Sequence, residues 1–243
     1  MPFDFDKKLL FIHIPKNAGK YVEDRYKMSD YPGKQANQKN RSKLSSIARI
    51  VANKECANSK INLRGMIDIA LVGQHLTLHE IDHYRLLPCS LASTTIFCIS
   101  RNPFSRIISL YCHHTHSSKW SDQDLEVFCN TWPHDRSFIR HNLISHQLRQ
   151  LDYLRRHDGS FYQVKVIRFE HLEEDLSSFD KEHSLQPDHY IGSALKLKQR
   201  MDNLHKPVRP KLTKHAAHLV LEHYSEDFRF FGYPLSVTQQ DVM

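Results

Sequence analysis

Two short stretches, far apart in the chain, decide how this protein folds. The first is Phe11-Ile12-His13-Ile14-Pro15-Lys16-Asn17-Ala18-Gly19-Lys20, and the second is Ile96-Phe97-Cys98-Ile99-Ser100-Arg101-Asn102-Pro103-Phe104-Ser105-Arg106. Each begins as an apolar run typical of a buried strand, passes through a polar turn and reaches the start of a helix. Both place a cation where the strand ends, so the pair predicts two anion sites at one edge of a parallel sheet.

Strand-like and helix-like segments alternate along the 243 residues, which predicts one α/β domain, residues 1–243, with a central parallel sheet flanked by helices. The strands are expected at residues 9–14, 66–72, 94–99 and 164–169. The helices are expected at residues 20–28, over much of 121–157 and at 214–224. The four strands lead into the polar side chains Lys16, His75, Arg101 and Arg168. Because ligands bind at the carboxyl ends of parallel strands, these side chains mark the predicted site.

The composition limits which cellular compartment and which kinds of binding partner fit this protein. A net charge of +7, with 18 further histidines, favours anionic partners such as nucleotides or acidic glycans. The five cysteines are odd in number and none are paired as CxxC, which favours reduced thiols. With no apolar run long enough for a bilayer and no signal-like N-terminus, we expect a cytoplasmic protein without a membrane span. Residues 29–62 are polar and are predicted to form a mobile excursion.

The first turn has the chemistry of a phosphate loop. Ala18 and Gly19 are small enough for backbone N–H groups to approach an oxyanion, and Lys16 can neutralise charge on a leaving oxygen. The spacing departs from G-x-x-x-x-G-K-[ST], so the hydroxyl that would hold Mg²⁺ is missing, which disfavours a kinase. The alternative is an ordinary strand-to-helix turn with an exposed lysine.

The second turn can hold a separate phosphate. Arg101 offers a bidentate fork and Ser109, two helical turns into the next helix, offers a hydroxyl. Asn102 can cap that helix, Pro103 fits its first turn, and Arg106 could brace the site or pair with a carboxylate. The alternative is a structural ion pair for Arg101 and a surface position for Ser109. Two anion sites together favour a doubly phosphorylated nucleotide.

These two stretches resemble the two cofactor signatures of sulfotransferases, which use 3′-phosphoadenosine 5′-phosphosulfate (PAPS). The first resembles the 5′-phosphosulfate loop, and the second, continued to Ser109 and Tyr111, resembles the 3′-phosphate motif. Residues 168–172 are similar to a late-strand segment of these enzymes. Residues 224–233 are similar to the closing segment of the Golgi-type carbohydrate sulfotransferases and their soluble bacterial relatives. The resemblance implies a P-loop-like fold and sulfuryl transfer to an acceptor hydroxyl of a carbohydrate, without a metal ion.

The resemblance also assigns the site residues. It implies that the 5′-phosphosulfate is held by Lys16, Asn17, Ala18, Gly19, Lys20 and Tyr21, and the 3′-phosphate by Arg101 and Ser109. Lys16 is in addition implied to be catalytic. The family loop usually carries hydroxyl residues where this chain has Asn17, Lys20 and Tyr21.

The acceptor hydroxyl needs a general base, and His75 is the candidate. It follows an apolar strand and a glycine, and an ordinary histidine pKa lies near working pH. Its position between the two signatures resembles that of the catalytic histidine of some glycan sulfotransferases. His79 and Glu80 are the reserve candidates.

Two other functions fit parts of the sequence. His79-Glu80-Ile81-Asp82-His83 matches H-E-x-x-H and would make a zinc-dependent hydrolase, although Asp82 places a charge where the motif is usually apolar. We interpret His113-His114-Thr115-His116 as a solvated helix end rather than as a metal site. The basic residues within 34–60 and 206–211 would suit a non-catalytic binder of acidic polymers, or could guide an anionic glycan acceptor. No aromatic residues alternate with them, so nucleic acid is not expected.

Overall fold

The strands and helices of the protein follow from a computed structural model. It describes residues 2–4, 7–26, 28, 75–83, 87, 89–115, 121–134, 144–186 and 210–236. The strands β1 to β4 span Phe3–Asp4, Leu9–Ile12, Thr95–Ser100 and Lys165–Arg168. The helices α1 to α7 span Gly19–Arg25, Leu78–His83, Pro103–His114, Asp122–Thr131, Ile144–Gln147, Leu172–Glu182 and Lys214–Phe230. Short 3₁₀ turns lie at Leu91–Ser93, Trp132–His134, Leu151–Tyr153 and Phe169–His171.

The four strands form one sheet in the order β1-β2-β3-β4. Strands β2, β3 and β4 are parallel, with Ile12 beside Cys98 and Ser100 beside Arg168. Their carboxyl ends therefore lie at one edge, where the predicted site residues follow. Strand β1 is antiparallel to β2 and was not predicted, because two residues are too few to show a periodic pattern.

Alternating side chains of β2 and β3 enter two separate cores, one on each face of the sheet. The first core contains Leu10 and Cys98 and packs against helices α3, α4 and α7. The second contains Phe11 and Phe97 and packs against helices α1 and α6. Helices thus cover both faces of the sheet, which confirms the predicted α/β class.

Helix α3 begins as the sequence predicted. The side chain of Asn102 accepts a hydrogen bond from the N–H of Phe104 at 2.9 Å, and Pro103 occupies the first turn, where its missing N–H costs nothing. Helix α7 begins at Lys214 as expected but continues to Phe230, with non-helical backbone angles at Tyr224. The predicted end of this helix is therefore a kink.

The remaining sequence predictions have mixed outcomes. The predicted strand at 66–72 and the polar excursion at 29–62 lie outside the described residues. Within 121–157, the described part contains α4, α5 and two 3₁₀ turns, so it is helical in pieces only. None of the helices among the described residues is both long and apolar enough to cross a membrane.

Phe97 tests the core on the second face of the sheet. Its side chain is fully buried, and its ring centroid lies 5.0 Å from that of Phe11 and 4.8 Å from that of Phe179. We expect Phe97→Ala to lower the free energy of unfolding by about 3–5 kcal/mol, measured by urea denaturation, because it removes apolar burial and leaves a cavity. Val127→Ala, at a 62% exposed position, should change it by no more than about 0.5 kcal/mol. Equal effects of the two variants would contradict this view of the core.

Candidate active site

The loop between β2 and α1 has an unusual backbone. Lys16 and Ala18 both have positive φ angles, 70° and 60°, in the left-handed region that L-residues seldom adopt. None of the described residues accepts a hydrogen bond from the N–H groups of Ala18 or Gly19. A turn that presents unpaired N–H groups in this way suits an anionic ligand.

Gly19 is needed because a histidine packs directly on its backbone. A Cβ atom at this position would lie 1.9 Å from Nε2 of His13. The imidazole of His13 is itself fixed, since its Nδ1 lies 2.6 Å from Oε1 of Glu23 and both side chains are buried. Any larger residue at position 19 would displace this pair and the loop with it.

The buried side-chain amide of Gln150 joins the two loops. Its Oε1 accepts hydrogen bonds from Nδ2 of Asn17 at 2.6 Å and from the N–H of Arg101 at 2.9 Å. Its Nε2 donates to the carbonyl oxygen of Arg101 at 2.8 Å. Nδ2 of Asn17 also donates to the carbonyl oxygen of Ile99 at 2.7 Å. The first loop is therefore tied to the end of β3, a role for Gln150 that sequence reasoning missed.

Arg101 makes a second connection between the loops. Its Nη1 donates to the carbonyl oxygen of Lys16 and its Nε to Oγ of Ser105, both at 2.9 Å. The guanidinium lies 4.2 Å from the ring centroid of Phe169. Ser109 follows Ser105 by one helical turn and lies on the same side of α3, partly exposed. The geometry thus places Arg101 directly beside the first loop.

Arg106 contacts the first loop, and Asp227 contacts the segment that carries Gln150. Arg106 is buried, and its Nε donates to the carbonyl oxygen of Pro15 at 3.3 Å, the bracing position that the sequence suggested. The carboxylate of Asp227 accepts from the N–H groups of Gln150 and Leu151, both at 2.9 Å. Burial raises the pKa of Asp227 to about 6, against the lowering influence of Arg106.

The closing segment 224–233 packs against the ends of β3 and β4. The hydroxyl of Tyr233 donates to Oε2 of Glu170 at 2.9 Å and lies 3.1 Å from Oγ of Ser100. Oε1 of Glu170 accepts from the N–H of Asn102 at 2.8 Å. Nη2 of Arg168 donates to the carbonyl oxygen of Phe231 at 2.7 Å. The late segments singled out in the sequence therefore meet the second loop.

His75 lies against the first loop in a defined tautomer. Its Nδ1 is 2.9 Å from the carbonyl oxygen of His13, and because a carbonyl only accepts, Nδ1 carries the proton. Nε2 then holds the free lone pair that a general base requires. The ring centroid lies 4.5 Å from that of His13 and 5.3 Å from that of His146. Burial, assisted by the neighbouring His13, lowers the pKa of His75 well below its ordinary value, so the ring is neutral at pH 7.

Comparison with known proteins is consistent with this geometry. The family model described as the sulfotransferase family matches residues 3–234. The chain belongs to the sulfotransferase family. The match includes both loops, His75 and the closing segment, and it confirms the family that the sequence predicted. Members transfer a sulfuryl group from a nucleotide sulfate donor to an acceptor hydroxyl. Neither the curated proteins nor the solved structures show a significant match to this sulfotransferase.

The other loop residues of the sulfotransferase differ in what their side chains contact. Lys20 is exposed at the start of α1. The ring of Tyr21 belongs to the second core, and its hydroxyl donates to Oε1 of the exposed Glu173 at 2.5 Å. Burial raises the pKa of Tyr21 to about 12. The amide nitrogen of Asn17 is already bonded to two protein acceptors. Nucleotide binding by Asn17 and Tyr21 stays a prediction.

The geometry does not favour the zinc hydrolase. Oε2 of Glu80 accepts from both the N–H and the hydroxyl of Thr77, at 2.8 and 2.9 Å, while Oγ1 of Thr77 accepts from the N–H of Glu80. This reciprocal pair is a capping box at the start of α2, so Glu80 has a structural partner. Among the described residues, the group of three or more side chains that could hold a metal ion is His113, His114 and His146, outside the H-E-x-x-H motif.

The interpretation of residues 113–116 as a solvated helix end is confirmed only for His113. His113 is exposed, but the ring of His114 lies 4.6 Å from that of Trp132 and its Nε2 is 3.0 Å from Nδ1 of His146. His114 is therefore held by a tertiary contact that the local sequence does not reveal. His116 lies outside the described residues.

Removing the side chain of Gln150 tests the connection between the loops. Gln150→Ala leaves Nδ2 of Asn17 with one acceptor fewer and removes the two hydrogen bonds that the Gln150 amide makes to the buried backbone of Arg101. We expect the free energy of unfolding to fall by about 2–4 kcal/mol in urea denaturation. Gln163→Ala, at an exposed position, is the matched control and should change it by less than about 0.5 kcal/mol. Similar stability of the two variants would show that the Gln150 amide does not hold the site together.

Proposed function

We propose that this sulfotransferase uses PAPS as its donor and transfers the sulfuryl group to a hydroxyl of a carbohydrate. The observation that carries the proposal is the hydrogen bond from Nη1 of Arg101 to the carbonyl oxygen of Lys16 at 2.9 Å. It brings the two predicted anion sites into direct contact. A donor with separate phosphate groups needs two such sites in one place.

The residues at the two loops fit this donor. The N–H groups of Ala18 and Gly19 are available toward a 5′-phosphosulfate, with Lys16 in the same loop and Lys20 in the first turn of α1. Arg101 and Ser109 would hold the 3′-phosphate from the other loop. When bound, the donor supplies an activated sulfuryl group on a phosphate leaving group. The transferred group carries less charge than a phosphoryl group, so Lys16 can serve where kinases use Mg²⁺.

Two side chains perform the proton and charge steps in this proposal. Lys16 stabilises the negative charge that develops on the leaving oxygen. Nε2 of His75 accepts the proton of the acceptor hydroxyl, while the bond from its Nδ1 to the carbonyl of His13 fixes the ring. The lowered pKa of His75 keeps Nε2 unprotonated before the reaction.

Sequence similarity, charge and the cysteines support the carbohydrate acceptor and the compartment. The similarity of residues 224–233 to the closing segment of the Golgi-type carbohydrate branch supports a sugar hydroxyl. The net charge of +7 suits an anionic glycan. A cytoplasmic location is part of the proposal, and among the described residues Cys89, Cys98, Cys112 and Cys129 form no disulfide.

Nucleotide binding can be tested without knowing the acceptor. We expect calorimetric titration with 3′-phosphoadenosine 5′-phosphate, in buffer without Mg²⁺, to show micromolar binding. Ser109→Ala should weaken the affinity by about tenfold or more, because it removes a hydrogen bond to a charged group. Arg101→Ala should abolish binding.

Two controls make this titration decisive. Arg229→Ala removes an exposed arginine of α7 and should leave the affinity unchanged. Circular dichroism of Arg101→Ala checks that the loss is not unfolding, since Arg101 also supports the first loop. Binding of ATP with Mg²⁺, together with no binding of 3′-phosphoadenosine 5′-phosphate, would overturn the proposed donor.

His75→Ala tests the general base once a glycan screen has supplied an acceptor. We expect turnover to fall by at least about 100-fold, because proton removal from the hydroxyl is lost. Affinity for 3′-phosphoadenosine 5′-phosphate should stay within about twofold of the parent protein. Since a base acts when deprotonated and the pKa of His75 is lowered, turnover of the parent protein should hold steady from pH 8 down to about pH 6.

His79→Ala is the matched control, because His79 is a nearby histidine on α2 outside the proposed chemistry. Its turnover should match that of the parent protein. Normal turnover in His75→Ala, or a fall only in His79→Ala, would remove His75 from the role of base.

A further inference from the structure

The rings of five histidines form a row in space that runs from the end of β2 to the end of α3. Neighbouring ring centroids are 4.5 Å apart for His13 and His75, 5.3 Å for His75 and His146, and 5.1 Å for His146 and His114. His113 follows at 4.9 Å from His114. The proposed function uses His13 and His75, which leaves three clustered imidazoles without a role.

These three imidazoles converge from two helices. His113 and His114 are the last residues of α3, and His146 lies on the short helix α5. Each offers one ring nitrogen, and these atoms all lie within 4.8 Å of one another. Nε2 of His114 and Nδ1 of His146 are 3.0 Å apart. Nitrogen ligands about 2.0–2.1 Å from one Zn²⁺ are about 3.3 Å apart, so small rotations of the rings suffice to share an ion.

We propose that His113, His114 and His146 form a binding site for a divalent ion of the zinc class, separate from the sulfuryl-transfer chemistry. Three imidazoles are a ligand set that suits Zn²⁺, Co²⁺ or Ni²⁺ and leaves a coordination position for water. His113 is exposed and gives access from solvent, whereas His146 is buried. The site thus opens to solvent on one side.

The surroundings hold two of the ligands in place. The ring of His114 packs against Trp132 with the centroids 4.6 Å apart. Beside His146, Nε2 of Gln147 donates to the carbonyl oxygen of Trp132 at 2.7 Å, which fixes helix α5 against the same residue. Oriented imidazoles lose less freedom on binding an ion than mobile ones.

Binding of the metal ion requires only a change of tautomer in one histidine ring. The contact between Nε2 of His114 and Nδ1 of His146 contains one proton, which belongs to one of the two rings. When the ion binds, that proton moves to the other nitrogen of the same ring, and both facing nitrogens become ligands. No oxidation, reduction or bond cleavage is involved.

A bound metal ion is expected to link helices α3 and α5. An ion at this position would join the C-terminal end of α3 to α5, and α5 leads directly to Gln150. A ligand that binds only the folded state raises the temperature of unfolding. The site would therefore stabilise the segment that connects the two loops.

The test uses the full chain without a histidine tag, freed of metal and titrated with CoCl₂ and with ZnCl₂. We expect about one ion per chain by calorimetry, visible Co²⁺ absorption bands of a low-symmetry nitrogen site, and a rise in the unfolding temperature with Zn²⁺. His113→Ala, at an exposed position that should not affect folding, should weaken Zn²⁺ binding at least about tenfold. His146→Ala should abolish it.

The double variant His79→Ala/His83→Ala is the matched control, because these rings also lie close together, at 5.7 Å. It should bind Zn²⁺ like the parent protein. The proposal is overturned by the absence of Zn²⁺ binding, by unchanged affinity in His113→Ala, or by a loss confined to the double variant. Titration of the metal-free protein with 3′-phosphoadenosine 5′-phosphate reports on the donor site alone, so the two proposals can fail independently.

Discussion

The buried side-chain amide of Gln150 holds the two loops of the site in one arrangement. A primary amide has both a donor and an acceptor, so it can pair with the N–H and the carbonyl of Arg101 as a neighbouring strand would. Its oxygen also takes the amide of Asn17 from the other loop. Because leaving such groups unpaired in a buried place is costly, the position of one loop determines that of the other.

This constraint explains how the first loop keeps a strained backbone. Left-handed angles at Lys16 and Ala18 persist only when surrounding contacts over-determine them. Those contacts come from Arg101, from Arg106 and from the His13 ring on Gly19. Arg101, which the sequence suggested as a phosphate ligand, thus also supports the loop. Substitutions there will change both folding and binding, which is why each binding experiment needs a stability control.

Local sequence signals predicted the two turns, but few of the contacts that hold them together. Some features depend only on neighbouring residues: the cap at Asn102, the proline after it, and the apolar runs of β2 and β3. The structure has all of them where the sequence predicted. Gln150 gave no signal, because a glutamine in a helix-like stretch is ordinarily a surface residue. Its burial depends on Asp227, far along the chain, which accepts from its N–H. The H-E-x-x-H match differs in this respect, because the partner of Glu80 is Thr77, only three residues earlier, in a capping box that is itself a local pattern.

The sequence by itself determined the family, the α/β class and the two strand-to-helix turns proposed to bind anions, because strand periodicity, turn residues and helix caps act over a few neighbouring positions. Only the tertiary structure decided which side chains remain available for a ligand and which are bonded to the protein. It turned Tyr21 toward Glu173, set the tautomer of His75 through the carbonyl of His13, and brought His146 to the end of α3. These outcomes depend on long-range packing and on the pairing of buried polar groups, which no local pattern encodes.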